Sequence, residues 1–178
     1  MKQGFHIIAL LMIMFINGQS PFPLTETNRV HAEQENVETD NLSDSVFNEE
    51  LLHLASKGEL IHAQYPIGTN INDIIANIGS PDEQGVWGGA NFYVYGDVMY
   101  FVPFDQEVVT SIEVYLSRDE SLQLRHVEAQ IGKSTTGIEK SELDHQSFLL
   151  YECDPFILYI EANNEHDFVK TLFLKQRE

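Results

Sequence analysis

The chain has 178 residues, and its 28 acidic and 10 basic side chains give a formal net charge of −18. A nucleic acid is a poor partner for such a chain, because phosphates are bound by Lys and Arg that displace counterions. An anionic membrane surface is disfavoured for the same reason. The hydrophobic share of 43%, with 11 Phe and 7 Tyr, is enough to build a folded core. Cys153 is the only cysteine, which excludes an intramolecular disulfide and a CxxC zinc site.

The first predicted element is a signal peptide over residues 1–32. Lys2 precedes an apolar run at residues 5–16, which is shorter than the roughly 20 residues of a spanning helix. Val30-His31-Ala32 is a small-x-small cleavage signal, so we expect the mature chain to begin at Glu33. A cut near Gly18 or Ser20 and an uncleaved N-terminal anchor are the alternatives.

Cleavage after Ala32 has consequences for charge and location. It removes Lys2, Arg29 and Glu26, so the net charge of −18 becomes −19 (−18 − 2 + 1). No cysteine lies just after the apolar run, which excludes a lipoprotein anchor. We therefore expect a secreted or cell-surface protein with no stable membrane insertion after cleavage.

An acidic spacer and a first helix are predicted next. Residues 33–45 are polar and poor in apolar side chains, which is typical of a flexible spacer. The domain is expected over residues 46–178, and its first helix over residues 46–57, with Ser45 as the cap and Gly58 at the end. The apolar positions that share one face of this helix are Phe47, Leu51, Leu54 and Ala55.

A helix followed by three strands is predicted at about residues 66–117. Thr69 or Asn70 can cap the helix, and Gly79 and Pro81 are typical of its end. Its apolar stripe consists of Ile71, Ile74, Ile75 and Ile78. A loop containing Gly85, Gly88 and Gly89 is expected after it. Runs rich in β-branched and aromatic residues then predict strands at residues 92–95, 98–102 and 109–116.

The same plan recurs at about residues 121–176. Leu124, Val127 and Ile131 form a helical stripe that ends at Gly132, and strands are predicted at residues 148–151, 156–161 and 168–174. Gly79 corresponds to Gly132 and Tyr95 to Tyr151. We therefore predict an α+β fold in which two tandem helix plus three-stranded meander units form one antiparallel sheet of about six strands, with the helices on one face.

Several runs of the sequence resemble the YjgB-like family of exported proteins of Bacillus-type bacteria. Residues 66–82 resemble the opening "G-T-x-x-x-D-V-x-x-x-x-G-x-P-D" of that family, and the resemblance continues through residues 88–95 and 98–116. The family's domain has no known function, so the resemblance implies export and carries over no catalytic residues. More loosely, the helix and meander units resemble the β-lactamase-inhibitor-protein-like fold. The second unit departs from the pattern, with Lys133-Ser134 where the first has Ser80-Pro81.

The motifs of common enzyme and metal sites are absent from the sequence. There is no Gly-x-Ser-x-Gly, P-loop or Gly-x-Gly-x-x-Gly pattern, and no two histidines have helical metal spacing. Cys153 is interpreted as a small apolar filler and His126 as a solvated or core-edge histidine. Residues 163–167 are interpreted as a hairpin turn, with weak calcium binding as the alternative. We predict no catalytic residue, no metal and no cofactor.

Aromatic residues on the last strand of each unit provide the candidate binding site. Tyr115 alternates with Ile112 and Val114, and Phe173 alternates with Leu172 and Leu174, so both rings are expected on the sheet face away from the helices. Such rings are typical of binding patches. The alternative is burial by a third layer or by curvature of the sheet. The predicted binding residues are Trp87, Tyr93, Tyr95, Tyr115, Tyr151 and Phe173.

These observations predict an exported, non-catalytic binding module that holds a protein partner through the open sheet face. The analogy to the inhibitor fold favours an extracellular enzyme as that partner, and it rests on fold alone. A structural or cell-wall-associated protein without a discrete ligand site is the first alternative. A hydrolase with an unrecognised site is the second.

Overall fold

A computed structural model describes residues 46–142 and 145–177, so the predicted signal peptide and spacer lie outside the described residues. The described chain contains three α-helices, eight strands and a 3-10 turn at Arg118–Glu120. The helices are α1 (Glu49–Ala55), α2 (Ile71–Ile78) and α3 (Leu124–Ile131). The strands are β1 (Glu83–Trp87), β2 (Ala90–Tyr95), β3 (Val98–Pro103), β4 (Ser111–Tyr115), β5 (Glu139–Lys140), β6 (Ser147–Cys153), β7 (Phe156–Ala162) and β8 (Thr171–Gln176).

All eight strands form one antiparallel sheet in the order β1-β2-β3-β4-β8-β7-β6-β5. From the centre outward, one half therefore runs β4, β3, β2 and β1 and the other runs β8, β7, β6 and β5. The central strands β4 and β8 pair with each other and join the halves. The predicted count of six strands is wrong, because β1 lies where the glycine-rich loop was expected and β5 is a two-residue edge strand.

The hydrophobic core lies between the helices and one face of the sheet. Ile112 and Val114 of β4 and Leu172 and Leu174 of β8 are all fully buried there. The helices contribute side chains that include Leu51, Ile74 and Val127. Full burial of such a side chain stabilises the fold by about 1.5–3 kcal/mol relative to exposure. The α+β class and the single antiparallel sheet are confirmed.

The helix ends agree with the sequence prediction in two cases and differ in the third. The Asn70 side chain accepts a hydrogen bond from the backbone N–H of Asn72 at 2.8 Å and caps α2. Gly79 and Gly132 end α2 and α3 with φ of 96° and 92°. The cap of α1 is Asn48 rather than Ser45, because its side chain accepts from the N–H of Glu50 at 2.9 Å. The helix therefore begins after Phe47, which packs into the core ahead of it.

Equivalent backbone hydrogen bonds occur in the two halves of the domain. At the start of α2 the N–H of Ile71 donates to Glu107, and at the start of α3 the N–H of Leu124 donates to Asp167. Just after each helix, the N–H of Asp82 donates to Val94 and the N–H of Thr135 donates to Leu150. Across the central pair, Leu116 donates to Lys170 and Gln176 to Thr110.

Candidate functional site

The sheet face opposite the helices, which we call the open face, is built by strict alternation along its central strands. On β4 the side chains of Ser111, Glu113 and Tyr115 point to this face, because Ile112 and Val114 between them point into the core. The β4 and β8 register pairs Glu113 with Phe173 and Tyr115 with Thr171. The predicted orientation of both strands is therefore correct.

Five aromatic rings form a continuous row across the open face, which we call the aromatic ladder. The ring centroids are 5.8 Å apart for Trp87 and Phe101, 6.0 Å for Phe101 and Phe173, 6.1 Å for Phe173 and Tyr159, and 5.8 Å for Tyr159 and Phe148. These are tilted or edge-to-face contacts, which are the favourable geometries for aromatic pairs. The ladder connects β1, β3, β8, β7 and β6 and forms a row of apolar side chains on the open face.

A carboxyl group lies beside the middle of this ladder. Glu113 sits between Met99 of β3 and Phe173 of β8 in the strand register. Burial, together with the nearby Glu161 carboxylate, raises the pKa of Glu113 from 4.5 to about 7, although a hydrogen bond with the Tyr115 hydroxyl opposes the rise. The Glu161 carboxylate itself accepts a hydrogen bond from the Thr171 hydroxyl at 3.2 Å.

The positively charged Lys175 side chain lies over the ladder on its other side. The Lys175 ammonium is 5.5 Å from the centroid of the Tyr159 ring, which is within the range of a cation–π contact. Farther out, Arg177 pairs with Glu152 at 2.9 Å. The face is therefore polarised, with the Glu113 and Glu161 carboxyls on one side of the rings and Lys175 on the other.

The structure separates the six predicted binding residues into two groups. Trp87, Tyr115 and Phe173 lie on the open face. The prediction that Tyr93, Tyr95 and Tyr151 join them is wrong, because all three pack on the helix side of the sheet.

The misplaced tyrosines on the helix side have structural partners. The Tyr95 hydroxyl donates to the carbonyl of Gly79 at 3.0 Å, and the Tyr151 hydroxyl donates to the carbonyl of Gly132 at 2.9 Å. Each bond ties the end of a helix to the sheet beneath it. Tyr93 pairs in register with the fully buried Tyr100 and shares its side of the sheet.

Exposure of the open face is uneven. Tyr115 is 39% exposed, whereas Phe101 is 4% and Tyr159 is 5% exposed. The helices pack against the opposite face, and the interior rings of the ladder are covered by their ladder neighbours. Of the predicted binding residues on this face, Tyr115 is therefore exposed, and Trp87 and Phe173 are partly exposed.

Sequence reasoning missed Phe101, Phe148 and Tyr159, which complete the ladder. Phe101 and Tyr159 lie in strands whose outward and inward positions are both apolar, so alternation alone does not say which face they occupy. The available signal is pairing, because Tyr159 lies opposite Phe173 and Phe101 opposite Ser111. These pairs can be assigned only when the order of the strands in the sheet is known.

The remaining candidates for chemistry have ordinary environments. Cys153 is buried on the helix side, and burial raises the pKa of its thiol to about 11, which suits a packing role. His126 is exposed on α3. In the predicted hairpin turn, Asn164 accepts from the N–H of His166 at 2.9 Å and donates to Asp167 at 2.7 Å. Across residues 46–142 and 145–177, no three His, Cys, Asp or Glu side chains are grouped to hold a metal.

Comparison with known proteins identifies the family. A profile described as a domain of unknown function (DUF4309) matches residues 48–170. The chain belongs to this family. It is similar to the crystal structure of the DUF4309 family protein YjgB from Bacillus subtilis, with a TM-score of 0.62, 15% identity, and coverage of 76% of this chain and 99% of YjgB. The resemblance to the YjgB-like family is thus confirmed, while the likeness to the β-lactamase-inhibitor-protein-like fold stays a prediction.

Two further structures match at lower similarity. One is a cysteine-rich secretory protein from Staphylococcus aureus, with a TM-score of 0.42, 11% identity, and coverage of 62% of this chain and 43% of that protein. The other is an extracellular protein containing an SCP domain from Bacillus anthracis, with a TM-score of 0.44, 12% identity, and coverage of 86% of this chain and 50% of that protein. The sequence matches no curated protein. None of the helices in the described ranges has the length and apolarity needed to cross a bilayer.

Proposed function

We propose that this DUF4309 domain is an exported, non-catalytic binding module that holds a protein partner through the open face of its sheet. The observation that carries the proposal is the aromatic ladder with Tyr115 beside it. Rings are enriched at the centres of protein interfaces, where they bury a large area and lose little conformational entropy. A row of rings fixed by contact with one another is already ordered before a partner arrives.

Export is part of the same proposal and is supported by the N-terminal sequence. Lys2, the apolar run at residues 5–16 and the Val30-His31-Ala32 signal have the order of a secretory signal peptide. We place the mature protein outside the cytoplasm, secreted or at the cell surface. Its partner is then an extracytoplasmic protein, and an extracellular enzyme is the first class to test.

We also propose that the two halves of the domain are copies of one helix-and-meander unit, about residues 66–117 and 121–176. The equivalent hydrogen bonds at both helix starts, after both helices and across the central strand pair support this. The separation of equivalent residues grows from 53 for Gly79 and Gly132, to 56 for Tyr95 and Tyr151, to 60 for Leu116 and Gln176. Loop insertions between conserved contacts produce such a drift.

The two units place different side chains at the centre of the open face, and this difference suits binding. Under this correspondence Glu113 and Phe173 are equivalent, since they are 60 residues apart and pair with each other. The centre of the open face thus combines one acidic and one aromatic side chain. Duplication gives a broad sheet, and divergence of the two copies gives its face chemical asymmetry.

A hydrolase is the second candidate function, and one observation favours it. The pKa of Glu113, raised to about 7 by burial, lies where a general acid works best at neutral pH. The neighbouring Glu161 carboxylate would be the second acidic group of such a site. An activity on glycan or peptide substrates that is lost in Glu113→Gln and retained in Phe173→Ala would support this candidate over the binding module.

The binding proposal is tested by using the mature protein as bait for the surface and secreted proteins of a related Bacillus-type bacterium. Three baits are compared: the wild type, the double variant Tyr115→Ala, Phe173→Ala, and a matched control, Phe104→Ala. Phe104 is 59% exposed, lies in the turn after β3 and takes part in none of the ring contacts that form the ladder. Circular dichroism and thermal unfolding establish that all three are folded.

The expected result is one protein that the wild type and Phe104→Ala retain and the double variant releases. Titration with that purified protein should then show at least about a tenfold loss of affinity in the double variant, as expected when hot-spot rings are removed. Equal retention by all three baits contradicts the open face as the site. Retention by none favours a structural or wall-associated role.

A further inference from the structure

The Glu113 carboxyl is partly buried beside the ladder and has no ion pair of its own among the described residues. Among the residues that the structure describes, no ion pair joins Glu113 to a basic side chain. The neighbouring strand β3 faces it with the uncharged Met99, and β8 faces it with Phe173 and Thr171. The nearest charge from β7 is a second carboxylate, that of Glu161.

The basic groups on the open face are engaged elsewhere. Lys175 lies over the Tyr159 ring, and Arg177 pairs with Glu152 near the far end of β6. Neither contact neutralises Glu113. A half-buried carboxyl with a like charge beside it and no cation is an unfavourable arrangement in the free protein, and a cation supplied from outside would relieve it.

We infer that the partner presents a lysine or arginine side chain to the centre of the open face, where it pairs with Glu113 and lies against the ring of Phe173. The inference rests on the proposed function and specifies the chemistry of its partner. Two features of the face complement such a side chain: the Glu113 and Glu161 carboxyls attract its charge, and the ladder provides an aromatic surface for its stem.

Charge also disfavours the other occupants of the open face. A second copy of the chain carries the same net charge of −18 and would bring Glu113 close to another carboxyl. The segment at residues 33–45 contains Glu33, Glu35, Glu38, Asp40 and Asp44 and no basic residue. Both are repelled, whereas a basic segment is attracted at long range and bound at short range.

A salt bridge to Glu113 makes binding dependent on pH. The bound cation stabilises the carboxylate and lowers the pKa of Glu113 from its free value of about 7. Because Glu113 is about half protonated near pH 7 in the free protein, complex formation there releases at most about half a proton. Affinity is highest above pH 7 and weakens as the pH falls to 5, because protonation of Glu113 removes the charge that the partner binds.

The test uses peptides, since it does not depend on knowing the natural partner. A random dodecapeptide library is selected on the mature protein at pH 8, and peptides that also bind the Tyr115→Ala, Phe173→Ala variant are discarded. Each basic residue of a selected peptide is then replaced in turn, arginine by citrulline and lysine by norleucine. Affinities for the wild type, Glu113→Gln and Phe104→Ala are measured by calorimetry at pH 8 and pH 5.

The inference predicts that selected peptides contain arginine or lysine, and that one replacement weakens binding to the wild type at least about tenfold at pH 8. Glu113→Gln should cause a similar loss for the parent peptide and no further loss for the replaced peptide, which identifies a direct pair. Phe104→Ala should bind like the wild type. The difference between wild type and Glu113→Gln should largely vanish at pH 5.

Three outcomes would overturn the inference, and they differ in what else they overturn. Peptides that need Phe173 but tolerate replacement of every basic residue would leave the proposed function intact. A selection in which every binding peptide is discarded, because it also binds the double variant, would reject the open face and the inference with it. Binding of a chitosan oligomer, instead of any peptide, with the same Glu113 dependence would mean that the cation comes from a glycan.

Discussion

Glu113 loses hydration on folding without gaining a favourable charge. Its pKa rises from 4.5 to about 7, so the folded protein holds the proton more tightly than the unfolded chain does. Below pH 4.5 the carboxyl is protonated in both states and costs nothing. As the pH rises from 4.5 to 7 the unfolded chain ionises first, and the stability of the fold decreases. The residue that the proposed partner recognises therefore weakens the free domain at neutral pH.

Replacing Glu113 by Gln should stabilise the protein at high pH and leave it almost unchanged at low pH. The substitution removes the buried charge and keeps the size and polarity of the side chain. We expect the free energy of unfolding to rise by about 1–3 kcal/mol at pH 8 and by much less at pH 4.5. Urea unfolding at both pH values measures it. An equal effect at the two pH values would contradict a raised pKa.

Tyr95 and Tyr151 should behave as structural residues rather than binding residues. Tyr95→Phe and Tyr151→Phe each remove a hydroxyl that donates to a helix-terminal carbonyl, so each should lower the free energy of unfolding by about 1 kcal/mol. Partner or peptide affinity should not change. Thermal unfolding and the binding titration are the two measurements. A loss of affinity without a loss of stability would show that these tyrosines take part in binding.

At the scale of elements, sequence patterns located α2, α3 and most strands because each carries an apolar stripe or a β-rich run. They missed β1, since Gly85 and the neighbouring glycines are typical of a loop. The structure supplies the reason for Gly85: a Cβ there would lie 2.7 Å from the ring of Phe92, which covers the glycine from the paired strand. A contact between two strands of this kind cannot be recognised from the sequence of either strand alone.

The candidate site was predictable only in part for a related reason. Tyr115 and Phe173 were assigned to the correct face because polar residues alternate with core residues on β4 and β8. Tyr93 and Tyr95 belong to a strand in which every position is half-buried, so its own pattern gives no face. Their orientation follows from pairing with Tyr100 and Val98 of β3, and that register is a property of the assembled sheet.

Glycines at the ends of α2 and α3 offer a test of the correspondence between the halves. Gly79 and Gly132 have φ of 96° and 92° with ψ of −169° and 175°, a region that is almost restricted to glycine. Nothing lies within 4 Å of a Cβ added at either position, so an alanine there would suffer from backbone strain alone. Each alanine variant should lower the free energy of unfolding by about 1–3 kcal/mol.

The neighbouring residues provide the controls for this comparison. Ser80→Ala and Lys133→Ala alter the adjacent exposed positions and should change the free energy of unfolding by less than about 0.5 kcal/mol. Chemical denaturation of all four variants gives the comparison. If Gly79→Ala and Gly132→Ala differed greatly, the two helix ends would not be equivalent, and the duplication would lose its clearest local support.

At the scale of the whole molecule, the fold joins two four-stranded halves into one sheet and places its helices on one side. That arrangement leaves a broad second side, where the rings of five strands meet. The net charge of −18 favours a basic partner and disfavours self-association. Fold, charge and ladder together support the proposal of a binding surface.

Hydroxyl-radical footprinting with and without the retained partner tests directly whether the partner binds the open face of the sheet. It reports which side chains a partner covers, and it needs no substitution. We expect the partner to protect Tyr115 and Phe173 from oxidation, while the 59% exposed Phe104, which is not part of the ladder, and the 65% exposed Val86, which is on the helix side in the strand register, react as before. Protection of Phe104 or Val86 with Tyr115 left fully reactive would show that the partner binds elsewhere and would contradict the account.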